Sequence, residues 1–173
     1  ETALVQLQKI EKPIEKTNTL NAIIEAIGNA RLEKFYSVIK AHLSSNQLEV
    51  LNNAILCASK TLEHRFIDDI ISHLSNKKTR DTAIEAIYFY GEPIIDILIK
   101  KVKDDAFDFE DDIYIIQIIE KFASQKAINA LIKLTENTEH KIKIEAIEAL
   151  KRLKWKHPNL IIKDRFIVDK ILD

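Results

Sequence analysis

Methionine is absent from the 173 residues, cysteine occurs once, glycine twice and proline three times. Each shortage excludes something. A single thiol, Cys57, cannot form a disulfide within the chain, and such usage fits a reducing compartment. Sandwiches, barrels and α/β folds with phosphate-binding loops rely on glycine at tight turns, so two glycines argue against all three. Neither sign of charge is in excess. With 26 basic and 27 acidic residues the net charge is −1, and no global field draws the chain to nucleic acid or anionic lipid. Long apolar runs are also missing. Stretches such as Ile113-Tyr114-Ile115-Ile116 fall far short of the roughly 18 residues that span a bilayer, and no signal-peptide pattern opens the chain. A cytoplasmic chain without direct membrane insertion is expected. Apolar helical patterns at both ends, Ala3-Leu4-Val5 and Phe166-Ile167-Val168, lack a polar cap. They lead us to expect a fragment of a longer protein with adjoining domains or repeats, residues 1–12 being the last helix of a preceding unit.

What is present is 46% hydrophobic and 31% charged residues, enough apolar surface to order a single domain over residues 1–173. The sequence repeats. Small or aliphatic anchors stand at Ala26, Ala58, Ala86, Ile118 and Ala149, at intervals of 32, 28, 32 and 31 residues. Two positions before each lie Ile24, Leu56, Ile84, Ile116 and Ile147, and one before lie Glu25, Cys57, Glu85, Gln117 and Glu148. Apolar residues three apart with a polar residue between them mark one face of a helix. A second apolar pair follows: Val38-Ile39, Ile70-Ile71, Leu98-Ile99, Leu131-Ile132 and Ile161-Ile162 each end 13 or 14 residues after their anchor. Each unit therefore holds two helices. Isoleucine is abundant, yet period-2 alternation is absent, and the helical period outranks a weak β preference. Pro93 and Pro158 fall where second helices should start. Asp108 caps a helix whose first turn carries Glu110, Asp111 and Asp112.

Two stretches carry a resemblance. Arg80-Asp81-Thr82-Ala83-Ile84-Glu85-Ala86-Ile87 leads to Gly91-Glu92-Pro93-Ile94-Ile95, and Lys143-Ile144-Glu145-Ala146-Ile147-Glu148-Ala149-Leu150 matches the first of them. Both resemble the HEAT repeat, with its Arg-x-x-Ala-x-x-Ala-Leu helix followed by a Pro-Leu-Leu helix. The resemblance implies an all-α fold: a right-handed α-solenoid of about five stacked antiparallel helical hairpins, an armadillo/HEAT-like superhelix. The units would be residues 18–45, 46–76, 77–105, 108–137 and 138–173, with second helices lining a concave surface.

On those second helices two rows arise. One holds Lys40, Ser72, Lys100, Lys133 and Lys163, and the other Tyr36, Asp68, Asp96, Asn129 and Asn159. The rows read either as a ladder gripping an extended acidic or mixed-charge partner, or as solvated i, i+4 pairs such as Asp96–Lys100. A basic patch of Lys151, Arg152, Lys154, Trp155 and Lys156 is open to two readings, a phosphate or base contact and a helix terminus whose tryptophan covers the end of the core. Asp104, Asp105, Asp108, Glu110, Asp111 and Asp112, around Phe107 and Phe109, lack the spacing of a calcium loop and read as a solvated loop. Histidines 42, 64, 73, 140 and 157 form no zinc pattern, His64 and His73 being read onto one helix. Cys57 stands where other units carry Glu or Gln, which predicts partial exposure. No metal, cofactor or catalytic residue is expected. The leading expectation is a non-catalytic protein-interaction scaffold for a protein or peptide. The resemblance leaves as alternatives a HEAT-like DNA glycosylase or other nucleic-acid-binding enzyme, and a soluble module of a larger protein such as a membrane transporter.

Overall fold

The computed structural model of the chain describes residues 13–104, 109–136 and 139–162. Among these every regular element is a helix and none is a strand. The chain forms two compact units, with the boundary between Tyr90 and Gly91.

The first unit holds α1 (Pro13–Asn29), α2 (Tyr36–His42), α3 (Leu48–Lys60), α4 (Ile67–Ile71) and α5 (Arg80–Phe89). Short 3-10 turns, Glu33–Phe35 and His64–Phe66, lead into α2 and α4. Helices α1, α3 and α5 pack side by side, and α2 and α4 pack against them. The second unit holds α6 (Ile94–Lys103), α7 (Phe109–Lys121), α8 (Gln125–Leu134) and α9 (His140–Lys156). Here α7 lies against α9 and α6 against α8, and α8 also packs on both α7 and α9. All-α is therefore the observed class. No helix among the described residues is long and apolar enough to cross a membrane.

Periodicity explains why isoleucine-rich segments coil. Along α8 the buried residues are Ala127, Ile128, Ala130, Leu131 and Leu134, while Lys126 is half-buried and Asn129 and Lys133 are exposed. Placing isoleucine in a helix costs well under ~1 kcal/mol. Burying its side chain returns about 1.5–3 kcal/mol. The stripe decides. Ser124 begins α8 by accepting a hydrogen bond from the Ala127 N–H at 3.2 Å.

The turns that end first helices share a conformation that composition hides. Arg31, Leu62, Gly91 and Ala123 all adopt positive φ, at 49°, 60°, 69° and 48°. Each follows a first helix by two residues. The Arg31, Leu62 and Ala123 N–H groups bond back to Gly28, Ser59 and Glu120 carbonyls at 3.3, 3.0 and 3.0 Å, and Leu32 N–H reaches Ile27 O at 3.0 Å. This is the left-handed closure that stops a helix and reverses the chain. Only one of the four positions is glycine, so three L-residues hold a conformation that costs roughly 1–2 kcal/mol. We expect Ala123→Gly to raise stability by about 0.5–1 kcal/mol, the strain relieved less the added freedom of the unfolded chain. A thermal melt reads this as a rise of about 2 °C. An unchanged or lower midpoint would show that Ala123 is unstrained.

These turns also correct one register. Counting five residues back from each gives Ala26, Cys57, Ala86 and Ile118. The equivalent of the alanine anchor in the second hairpin is thus Cys57, not Ala58. Cys57 is 0% exposed, against the expectation of partial exposure. It sits where α3 meets α1 at Gly28, and a Cβ on that glycine would lie 2.9 Å from both Cys57 Cβ and Cys57 O.

Within each unit, polar bonds join residues about thirty positions apart. Asn53 Nδ2 donates to Asn21 O at 3.1 Å and Asn21 Nδ2 to Glu49 Oε1 at 3.0 Å, joining α1 to α3. Arg31 Nε donates to Lys60 O at 3.1 Å, and Tyr90 Oη donates to Glu63 O at 2.9 Å. In the second unit Arg152 of α9 clasps Glu120 of α7 at 2.8 Å.

Candidate functional site

The second unit carries a groove between α6 and α8, with a volume of about 510 Å³. Its floor is apolar. Ile99 and Ala130 are 8% and 6% exposed, and the short Ala130 side chain leaves the space above it open. The walls are charged: Asp96, Lys100, Lys103 and Asp104 come from α6 and its end, and Lys126, Asn129 and Lys133 from α8. Both helices have 10 residues, whereas α2 and α4 have 7 and 5, so α6 and α8 each present a longer polar face. Four residues expected on the binding surface, Asp96, Lys100, Asn129 and Lys133, meet in this groove.

Asp96 does not pair with Lys100, its i+4 neighbour. It takes Lys126 across the groove at 2.8 Å. Asn129 Oδ1 accepts from Gln125 Nε2 at 3.1 Å. Lys100, Lys103 and Lys133 are exposed and make no ion pair or hydrogen bond with a described residue. Four lysines face two aspartates, a local surplus of two positive charges in a chain whose net charge is −1. Lys103 and Lys126 were missed from sequence; Lys103 stands one turn beyond Lys100, where a helical-face reading would have reached it.

In the first unit the rows behave differently. Lys40 Nζ meets both carboxylate oxygens of Asp69 at 2.6 Å, a residue outside the two rows read from the sequence. Asp68 itself is exposed. Tyr36 is withdrawn from the surface at 5% exposure, its ring edge-on to Phe66 at 5.8 Å and beneath the Arg65 guanidinium at 5.1 Å. A ring so placed packs into the core. Asn159 is exposed, but residues 157–162 form a turn and a bend without helix, where a second helix beginning at Pro158 was expected. Lys163 lies outside the described residues, as do Asp105, Phe107 and Asp108.

The basic patch is largely committed within the fold. Arg152 Nε reaches Glu120 at 2.9 Å and Arg152 Nη2 reaches Glu145 at 2.8 Å. Hydrogen bonding to Glu120 chiefly raises its pKa above even the usual arginine range, against the opposing effect of burial, with Glu145 adding to the rise. Lys154 Nζ donates to Pro158 O and Leu160 O at 2.7 and 3.0 Å, tying down the chain after α9, and Lys151 pairs with Glu148 at 3.5 Å. Lys156 is exposed, and Trp155 is 86% exposed, so the tryptophan does not cover the end of the core.

Chemistry-bearing groups elsewhere are occupied by packing. Burial pushes the Cys57 thiol up to about 11, which keeps it protonated and unreactive. His73 has its pKa lowered by burial, offset by the bond of its Nε2 to Leu43 O at 3.1 Å and by Asp69. His64 lies in a 3-10 turn and His73 beyond the end of α4, so the two do not share a helix. Asp111 and Asp112 are 6% and 4% exposed, and thus buried in the first turn of α7 instead of solvated. Among the described residues no group of three or more His, Cys, Asp or Glu side chains is placed to hold a metal ion. Comparison with protein families and with curated proteins finds no match.

Proposed function

We propose that the chain is a solenoid of about five HEAT-like hairpins in a right-handed superhelix, serving as a non-catalytic scaffold that binds a protein or peptide on its second helices. The observation that carries this reading is the α6–α8 groove, where Asp96, Lys100, Asn129 and Lys133 converge over an apolar floor. Support for the repeat comes from the left-handed turn recurring at Arg31, Leu62, Gly91 and Ala123, at intervals of 31, 29 and 32 residues. Polar bonds between residues one repeat apart, such as Asn21–Asn53 and Glu120–Arg152, agree with stacking inside each unit.

The described lining of lysine, aspartate and asparagine over an apolar floor suits the docking of a charged partner. The test is capture by the immobilised chain, followed by binding measurements with the purified captured protein. A partner held by the wild type and lost by a Lys100→Glu/Lys133→Glu variant of unchanged circular dichroism sustains the reading. A purified partner that binds both chains equally, or no specific capture, overturns it and returns these residues to solvated helix surface.

A further inference from the structure

We infer that the α6–α8 groove takes an extended peptide segment bearing aspartates or glutamates two to three positions apart. This rests on the scaffold reading and narrows it to one chemistry. The argument begins with which lysines are already occupied. Lys126 is taken by Asp96 at 2.8 Å, and in the first unit Lys40 is taken by Asp69 at 2.6 Å. Lys100, Lys103 and Lys133 carry no such carboxylate from the described residues. A partner supplying carboxylates therefore gains ion pairs in the second unit without breaking any, whereas a basic partner would face three ammonium groups.

Geometry sets the spacing. Packed helices lie roughly 8–10 Å apart, so Lys100 and Lys133 are rooted about that far from each other. Lys100 and Lys103 are one turn apart, about 5 Å along the axis. An extended chain advances about 3.3 Å per residue, so acidic residues two apart suit the single-helix pair and three apart suit the pair across the groove. The floor of Ile99 and Ala130 gives a peptide backbone an apolar seat, and exposed Asp104 and Asn129 offer acceptors to its N–H groups. The two aspartates disfavour a nucleic-acid strand, whose phosphates recur at every residue and have no N–H to offer them.

The experiment uses the full chain and a fluorescein-labelled peptide with glutamates at second and third positions in a glycine–serine background. Its controls are the same peptide with glutamines and a single-stranded oligonucleotide of similar charge. Anisotropy should show saturable binding of the acidic peptide, at least about tenfold weaker for Lys100→Glu/Lys133→Glu and intermediate for Lys100→Gln/Lys133→Gln, weakening as salt shortens the screening length. Amide shifts in NMR spectra should cluster on α6 and α8. Equal binding of the glutamine peptide, equal binding by the charge-reversed chain, or tighter binding of the oligonucleotide each overturns the acidic-peptide assignment. If the acidic peptide fails while a captured protein still depends on Lys100 and Lys133, this inference falls and the scaffold reading stands. If both fail, both fall.

Discussion

Gly28→Ala is expected to destabilise the chain by about 2 kcal/mol, although alanine is the better helix former. Helix propensity alone favours the substitution by about 1 kcal/mol. The packing opposes it, because the new Cβ would stand 2.9 Å from Cys57 Cβ, 2.9 Å from Cys57 O and 3.1 Å from Cys57 Cα. Two of those atoms are backbone, which cannot rotate away, so α1 and α3 must part, and such overpacking costs about 1–3 kcal/mol or more. Gly28→Val should cost more again. Urea unfolding should show a lower midpoint at an unchanged slope. A raised midpoint for Gly28→Ala would mean that α1 and α3 do not approach so closely. Cys57→Ala should leave the penalty in place, since the opposing Cβ and carbonyl remain.

The second large effect is expected at Arg152. Its guanidinium, 39% exposed, holds Glu120 and Glu145, which are only 12% and 22% exposed. Arg152→Met keeps most of the volume and removes the cation, leaving two poorly solvated carboxylates facing each other. A charge-assisted hydrogen bond contributes about 1.5–3 kcal/mol and an exposed ion pair under about 1 kcal/mol. Partial exposure places the expected loss near 2 kcal/mol, or about 4–8 °C in Tm. A double-mutant cycle with Glu120→Gln isolates the pair. A coupling near zero would return Arg152 to the basic patch read from the sequence.

That patch illustrates how much could be read before the fold was known. Helix identity was legible because the apolar period is sustained. Two of the groove's four lysines were legible for the same reason: once the buried stripe of α6 and α8 is placed, Lys100 and Lys133 must face away from it. Failures came where a residue's neighbour lies a repeat away. Arg152 looks like one more cation in Lys151-Arg152-Leu153-Lys154 until Glu120, 32 residues earlier, is beside it. Tyr36 fits the row by number, but Phe66 and Arg65 enclose it. The register slipped at Cys57 because an alanine sits next to it, and no glycine marked the left-handed turns at Leu62 and Ala123 that would have fixed it.

The span of the polar bonds within each unit bears on how the chain would yield under tension. Those tying one helix to the next repeat join residues 27 to 36 apart in sequence, from Tyr90–Glu63 to Gln125–Ile161. A chain pulled by its ends therefore meets resistance in short loops, each released when one neighbour-to-neighbour seam opens. If the hairpins stack as proposed, force–extension traces are expected to show small steps of similar length, and relaxation to re-form the seams within each unit without a long search, because each closing loop is only about thirty residues.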